Sequence, residues 1–405
     1  MGKLPTVAAR AYIATFAALA FAGFALIAAL GLVVDGYGVF GTRLIPASRF
    51  PPQLRLSKYG DRVTKAIEIA ERQGDEILFT GDSRTLRGLD PDSPALSGLK
   101  GYNAALVGAT LAEQIVALDW SLAHEPGIRR IVWGLSIETF PSPILTFTDY
   151  PDSAFAGRSI ASGLLRHLFA YKRVVSSWRA LLQATHREVR AQMKRNGLEI
   201  YSDPVEGPAI AELFGSELTG IILDSGRFSQ EKIDKALAEL RQRLIELKAA
   251  GIDVDLAIVP VHIWRLEFLR LIGVEAQDDA WRRSLAAIVD ELAAAPGTGK
   301  LRLFDFARPH PFVEQPVFTS PPPGERRYFV ESSHFYPWLG DKVLAKLFGK
   351  PQEPEKDMEP FGVEIGKGPG SASIDEDIAS AKAGIDLWEA AHGDDVSYVK
   401  RLISK

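Results

Sequence analysis

From Tyr12 to Val34 the chain carries no charged residue and consists mainly of Ala, Leu, Phe, Ile, Val and Gly. At about 1.5 Å of rise per residue, a helix of that length covers the roughly 30 Å hydrocarbon core of a bilayer, so the segment can cross a membrane once. Residues 1–35 are therefore expected to be an anchor, and the rest must fold on one side of it. Lys3 and Arg10 precede the run and Asp35 follows it. By the positive-inside tendency this places the N-terminus in the cytoplasm and the remainder on the periplasmic, extracytoplasmic side of an inner membrane. A cleaved signal sequence is the competing reading. Its apolar region is usually about 7–15 residues and ends in a small-x-small cleavage site. The run here is longer and Asp35-Gly36-Tyr37 offers no such site, so an uncleaved single-pass anchor is expected.

Residues 36–60 contain Gly, Pro and Arg without periodicity and read as a tether. Beyond it, helical and strand patterns alternate. Helices are expected over Val63–Arg72, Leu111–Ala123, Gln230–Ala250, Ala280–Ala294 and Leu339–Phe348, and strands over Glu76–Thr80, Gly101–Asn103, Arg130–Leu135, Val254–Val261 and Leu301–Phe306. Parallel strands need crossover connections, so this rhythm predicts a three-layer α/β/α domain with a parallel sheet over residues 61–350. An insertion interrupts it at about 140–228, where Ser162–Asn196 is basic and helix-prone and Gly207–Leu223 is irregular. Residues 351–373, rich in Pro, Gly and acidic side chains, read as a linker, and 374–405 as a helical tail.

Several functional classes are disfavoured by composition. Basic residues are scattered in a chain of net charge −4, so nucleic acid is not an expected partner. The absence of cysteine removes disulfides, thiolate zinc sites and a cysteine nucleophile. His124, His167, His186 and His310 have no metal-ligand spacing among themselves or with acids, and no Gly-rich phosphate loop occurs. No metal or cofactor is expected. The basic run Arg166, Lys172, Arg173, Arg179, Arg187 and Lys194 reads first as a solvated face, and second as a contact for a membrane surface or an anionic glycan.

Two short motifs carry chemistry. Gly81-Asp82-Ser83-Arg84 directly follows an apolar strand pattern, and Ser332-Ser333-His334-Phe335 opens the last helical pattern before the tail. A strand ending in Gly-Asp-Ser presents a hydroxyl at the carboxyl edge of a sheet, where α/β folds place ligands. A serine hydroxyl needs an adjacent base, and imidazole suits that task. A carboxylate three positions before the histidine, Glu331, can hold its tautomer and stabilise the imidazolium; Asp305 is a weaker substitute. The structural alternatives are that Ser83 is a helix cap and that His334 packs among Phe335, Tyr336 and Trp338. Their order and context favour a serine hydrolase-type site.

On these residues the chain resembles the SGNH (GDSL-like) hydrolase superfamily, in particular its membrane-anchored members linked to acylation of cell-envelope glycans, over roughly Ile77 to Phe348. Gly81-Asp82-Ser83-Arg84 is similar to the nucleophile block, and Asn103 to Thr110 to the second block, with Gly108 as its glycine. The third block, normally Gly-x-Asn-Asp, reads Gly134-Leu135-Ser136-Ile137, and the fourth, normally Asp-x-x-His, reads Glu331-Ser332-Ser333-His334. The resemblance implies a catalytic set of Ser83, His334 and Glu331. It also implies an oxyanion hole from the Ser83 and Gly108 backbone amides, with Ser136 in place of the asparagine that would be the third donor. Asn103, Glu138 and His262 are candidate substrate contacts.

The expected function is therefore that of a membrane-anchored periplasmic acyl-transfer enzyme, an O-acetyltransferase or esterase, acting through an acyl-serine on an envelope or secreted polysaccharide. The resemblance also implies a membrane-embedded acyl donor enzyme as partner. The competing class is a catalytically impaired glycan-binding or assembly component, in which the altered third and fourth blocks mark a decayed site. A soluble cytoplasmic lipase or esterase is disfavoured by the anchor.

Overall fold

The computed structural model describes residues 6–35, 40, 44, 54–56, 61–140, 149–169, 175, 191–201, 209–222, 228–322, 325–351, 360–366 and 371–404. Most of the expected tether, the basic residues Lys172, Arg173, Arg179 and Arg187, His186, and much of the 351–373 linker lie outside them. The described strands are β1 (Leu54–Leu56), β2 (Ile77–Thr80), β3 (Gly101–Asn103), β4 (Arg130–Leu135), β5 (Ala191–Lys194), β6 (Glu199–Tyr201), β7 (Asp253–Ile258), β8 (Leu301–Asp305) and β9 (Val363–Ile365). The chain divides into two compact units, 1–68 with 148–195, and 69–147 with 196–405.

In the first unit the helix Thr6–Val34 contains a stretch, Ala8–Val34, that is long and apolar enough to cross a membrane, with a mean hydropathy of 2.5. Phe24 on this helix meets Phe169 of the helix Ile160–Phe169 edge to face at 5.7 Å. β1 pairs antiparallel with β5, Leu54 opposite Lys194. The helix-prone reading of Ser162–Asn196 thus holds at its start and fails at its end, where 191–194 is strand.

The second unit is mixed α/β around a six-stranded sheet in the order β3-β2-β4-β7-β8-β9. The first five strands are parallel neighbours, and β9 closes the edge antiparallel to β8, Leu303 opposite Ile365. The central strands read as near-continuous apolar runs because both faces are covered: β2, and β4 after Arg130, are wholly buried. At the amino end, buried Asp255 on β7 is held by Arg130 and Arg302, and both arginines also donate to the Leu347 carbonyl. The strand order reverses at β2, which has β3 on one side and β4 on the other. In open parallel sheets this switch point leaves a crevice at the carboxyl ends of the strands, and Gly-Asp-Ser begins there.

Three expectations change. The irregular stretch Gly207–Leu223 contains the helix Ala209–Ile222, whose apolar Ile210, Phe214, Leu218 and Ile221 are buried along one stripe. The linker 351–373 contributes β9, so the sheet is mostly rather than wholly parallel. The tail is two helices, Ile374–Ala391 and Gly393–Ile403, that bury Trp388 and Val399 in the second unit.

Candidate active site

Ser83 is the first residue of the helix Ser83–Gly88, which starts directly beyond β2. The Asp82 side chain caps this helix by accepting from the Arg84 amide at 2.9 Å. The helix end can approach the opposite wall closely only because residue 88 is glycine: a Cβ there would sit 2.0 Å from the Phe335 ring. Phe335 is the neighbour of His334, so this contact sets the Ser83 helix against the histidine loop. The loop is closed by Val330 N donating to His334 O (2.8 Å) and Tyr336 N donating to Tyr328 O (2.9 Å).

The structure brings Ser83, His334 and Glu331 together. His334 Nε2 lies 2.7 Å from Ser83 Oγ, and His334 Nδ1 hydrogen-bonds Glu331 Oε1. A carboxylate can only accept, so Nδ1 carries the proton and Nε2 is left to accept from the serine hydroxyl. Glu331 also accepts from the Ser333 and His334 backbone amides at 2.8 and 2.9 Å. Burial pushes its carboxyl up, but His334 and the Ser333 amide outweigh that and hold it at about 2. Glu331 and His334 are buried, while Ser83 is half-buried. A base oriented by an anion against a half-buried hydroxyl is an arrangement able to activate serine for attack on an acyl carbon.

Gly108 lies in the loop after β3 with φ +60°. Two residues earlier, Leu106 N donates to Gly81 O at 3.2 Å, which ties that loop to the turn that precedes Ser83. Ser136 does something else: its hydroxyl accepts from Arg84 Nη1 at 2.7 Å and from the Glu138 amide at 3.3 Å.

The candidate substrate contacts are engaged in the scaffold. Asn103 is fully buried, and its amide donates to Thr85 O and Leu89 O, both at 2.9 Å, clamping the Ser83 helix. His262 caps the helix Ile263–Leu271, with Nδ1 accepting from Trp264 N at 3.3 Å, while Nε2 faces Gln315 O at 2.9 Å. Burial pulls its imidazole down to about 4. Glu138 sits between two guanidinium groups, Arg84 at 2.6 Å and Arg265 at 2.7 and 2.6 Å. Burial alone would push its carboxyl up, but Arg265 and Arg84 hold it well below the usual carboxylate range. Arg265 continues to Ser332 Oγ at 3.3 Å. Asp305 is paired with Arg282 and accepts from Ala307 N, so it belongs to another cluster.

Sequence reasoning missed Arg84, Arg265 and Glu217. Arg84 was visible in the motif as a cation beside the serine, but nothing local announced its partners. Glu217, Glu331 and His334 each bring one carboxylate oxygen or ring nitrogen within 4.8 Å of the others. That set is a poor metal centre, because both imidazole nitrogens already face hydrogen-bond partners, Glu331 and Ser83.

No family model and no curated protein matches the chain. Among solved structures, one from Streptococcus pneumonia described as a candidate platelet activating factor is similar at 11% identity over 71% of this chain and 90% of its own, with a TM-score of 0.29.

Proposed function

We propose that this protein is a serine acyl-transfer enzyme of SGNH-like, three-layer α/β/α architecture, held at the inner membrane by its N-terminal helix and acting on an envelope or secreted polysaccharide in the periplasm. One observation carries the reading: the relay from Ser83 Oγ through His334 to Glu331, with 2.7 Å between the hydroxyl and Nε2. It is assembled from residues about 250 positions apart in sequence and stands at the switch point of a parallel sheet. Ser83 would attack an acyl carbonyl while its proton passes to His334 Nε2, and Glu331 would stabilise the imidazolium. The Ser83 and Gly108 backbone amides are the donors for the oxyanion. Collapse of that intermediate breaks the ester bond, returns the proton to the leaving alcohol and leaves acyl-Ser83, which a sugar hydroxyl or water then attacks. The glycan and the membrane-embedded acyl donor enzyme come from the resemblance, and the membrane helix is consistent with both. No cofactor or metal enters this scheme.

A second reading is favoured by one observation, the commitment of the Ser136 hydroxyl to Arg84. It leaves two oxyanion donors in place of three and suits a glycan-binding relative with a weakened site. A fluorophosphonate separates the two. It labels Ser83 in the wild type if the first reading holds, with aryl acetate turnover lost in Ser83→Ala. Absence of labelling in a folded wild-type chain that still binds polysaccharide would support the second.

A further inference from the structure

The helix Ala209–Ile222 buries Ile210, Phe214, Leu218 and Ile221, the stripe expected of an amphipathic helix. Glu217 stands on the same stripe, seven residues after Ile210 and three after Phe214. A carboxylate at an apolar-face position needs a partner. The helix is pinned so that it meets one: Phe214 packs edge to face on His262 at 4.9 Å and on Trp264 at 5.8 Å. Tyr398, on the helix Gly393–Ile403, donates to Ala211 O at 3.1 Å. The end of the chain thereby holds this helix against the wall of the site. The Glu217 carboxylate is half-buried and within 4.8 Å of both the His334 ring and Glu331.

We propose that Glu217 is a positioning residue of the site, a second carboxylate that stabilises the His334 imidazolium formed when Ser83 gives up its proton. The groups facing that ring are Glu331 and Ser333 on its own loop, Ser83 on the helix Ser83–Gly88 and Glu217 on the helix Ala209–Ile222. Behind them, Arg265 and Arg84 act on Glu331, and His262 is held neutral by burial. Two carboxylates beside one imidazole favour a cation between them. With the Glu217 and Glu331 oxygens and a ring nitrogen all within 4.8 Å of one another, the charge formed on proton transfer meets two anions rather than one.

The effect on rate rests on the acyl-transfer reading; the electrostatic placement does not, and the test separates them. The full chain is labelled with ¹³C-histidine in detergent micelles, and the His334 ring resonance is assigned by its loss in His334→Asn. At fixed pH, Glu217→Gln should move that resonance and Glu217→Asp should move it less. Glu212→Gln, on the exposed face of the same helix, should move nothing. In parallel, Glu217→Gln should lower kcat for aryl acetate hydrolysis about threefold with KM unchanged. A His334 resonance unmoved in Glu217→Gln while the chain remains folded overturns the proposal. A resonance that moves in a chain that neither hydrolyses the ester nor labels at Ser83 upholds the placement of Glu217 and defeats the enzyme reading.

Discussion

Replacing Glu138 by glutamine tests whether the buried charges around Ser83 hold the second unit together. The amide keeps the shape of the side chain, so no cavity opens. What it removes is the negative charge that Arg84 and Arg265 share, and their side chains are 5% and 4% exposed. Arg84 keeps Asp82 at 2.7 Å and Arg265 keeps Ser332 at 3.3 Å, but two buried guanidinium groups lose the anion they share. Removing one partner of a buried pair costs about 3–5 kcal/mol. For a unit of this size that corresponds to a fall of about 10 °C in the melting midpoint. The pH dependence has a defined sign. The Glu138 carboxyl is held below its unfolded value, so its contribution is complete above about pH 4.5 and is lost as pH falls toward the folded value. The gap between wild type and Glu138→Gln should therefore stay flat from about pH 5 to 8 and narrow under more acidic conditions. Thermal denaturation of the full chain in detergent, followed by circular dichroism across that range, measures it. Adding Arg265→Met to Glu138→Gln should cost less than the sum of the single changes. A gap of under about 1 kcal/mol, or one that widens on acidification, refutes the reasoning.

Asn103→Ala removes both donors to the Thr85 and Leu89 carbonyls; it should destabilise by about 2–4 kcal/mol, seen as a lower melting midpoint and slower fluorophosphonate labelling of Ser83. His262 is kept neutral in the fold at about 4 against an unfolded value of about 6.5, so its part in stability is present above that value and lost as pH falls through it. Wild type should lose about 3 kcal/mol more than His262→Gln between about pH 6.5 and 4, and parallel melting curves would contradict this. Gly88→Ala drives a methyl to 2.0 Å from the Phe335 ring; overpacking of about 1–3 kcal/mol should come with a loss of aryl acetate turnover larger than the loss of stability implies.

The sheet was legible because its strands are short, apolar and bounded by turn residues; Arg130–Leu135 was read to the residue. The helix Ala209–Ile222 was not, since flanking Gly and Pro and an internal Gly215 and Gly220 mask its stripe of Ile210, Phe214, Leu218 and Ile221. β9 was hidden by composition. An edge strand needs only three residues and one neighbour, and Val363–Ile365 borrows its pairing from β8 inside a segment that reads as a linker. At the site, the residues that chemistry demands in a fixed local order, Ser83 after a strand and Glu331 three before His334, could be named from the sequence. Asn103, Glu138 and His262 were recognisable as polar groups at strand ends, but their side chains turn toward the scaffold. Whether a buried polar group faces a ligand or a backbone carbonyl depends on what packs beside it, and that information is spread over the whole fold.

The same spread explains how two distant segments hold a hydroxyl and an imidazole within hydrogen-bond reach. Ser83 rides on a six-residue helix and His334 on an irregular loop, neither of which is rigid alone. They are joined by a continuous chain of buried partners: Asp82 to Arg84, Arg84 to Glu138, Glu138 to Arg265, and Arg265 to Ser332, beside Glu331. Each link is charge-assisted on at least one side, and its geometry tolerates less displacement than an apolar contact of the same area. Ser136 fits this arrangement, because its short hydroxyl accepts from Arg84 and seats the first cation of the chain. Ser136 and the arginine beside Ser83 are thus one feature, a strut in the chain that holds the Ser83 helix against the His334 loop.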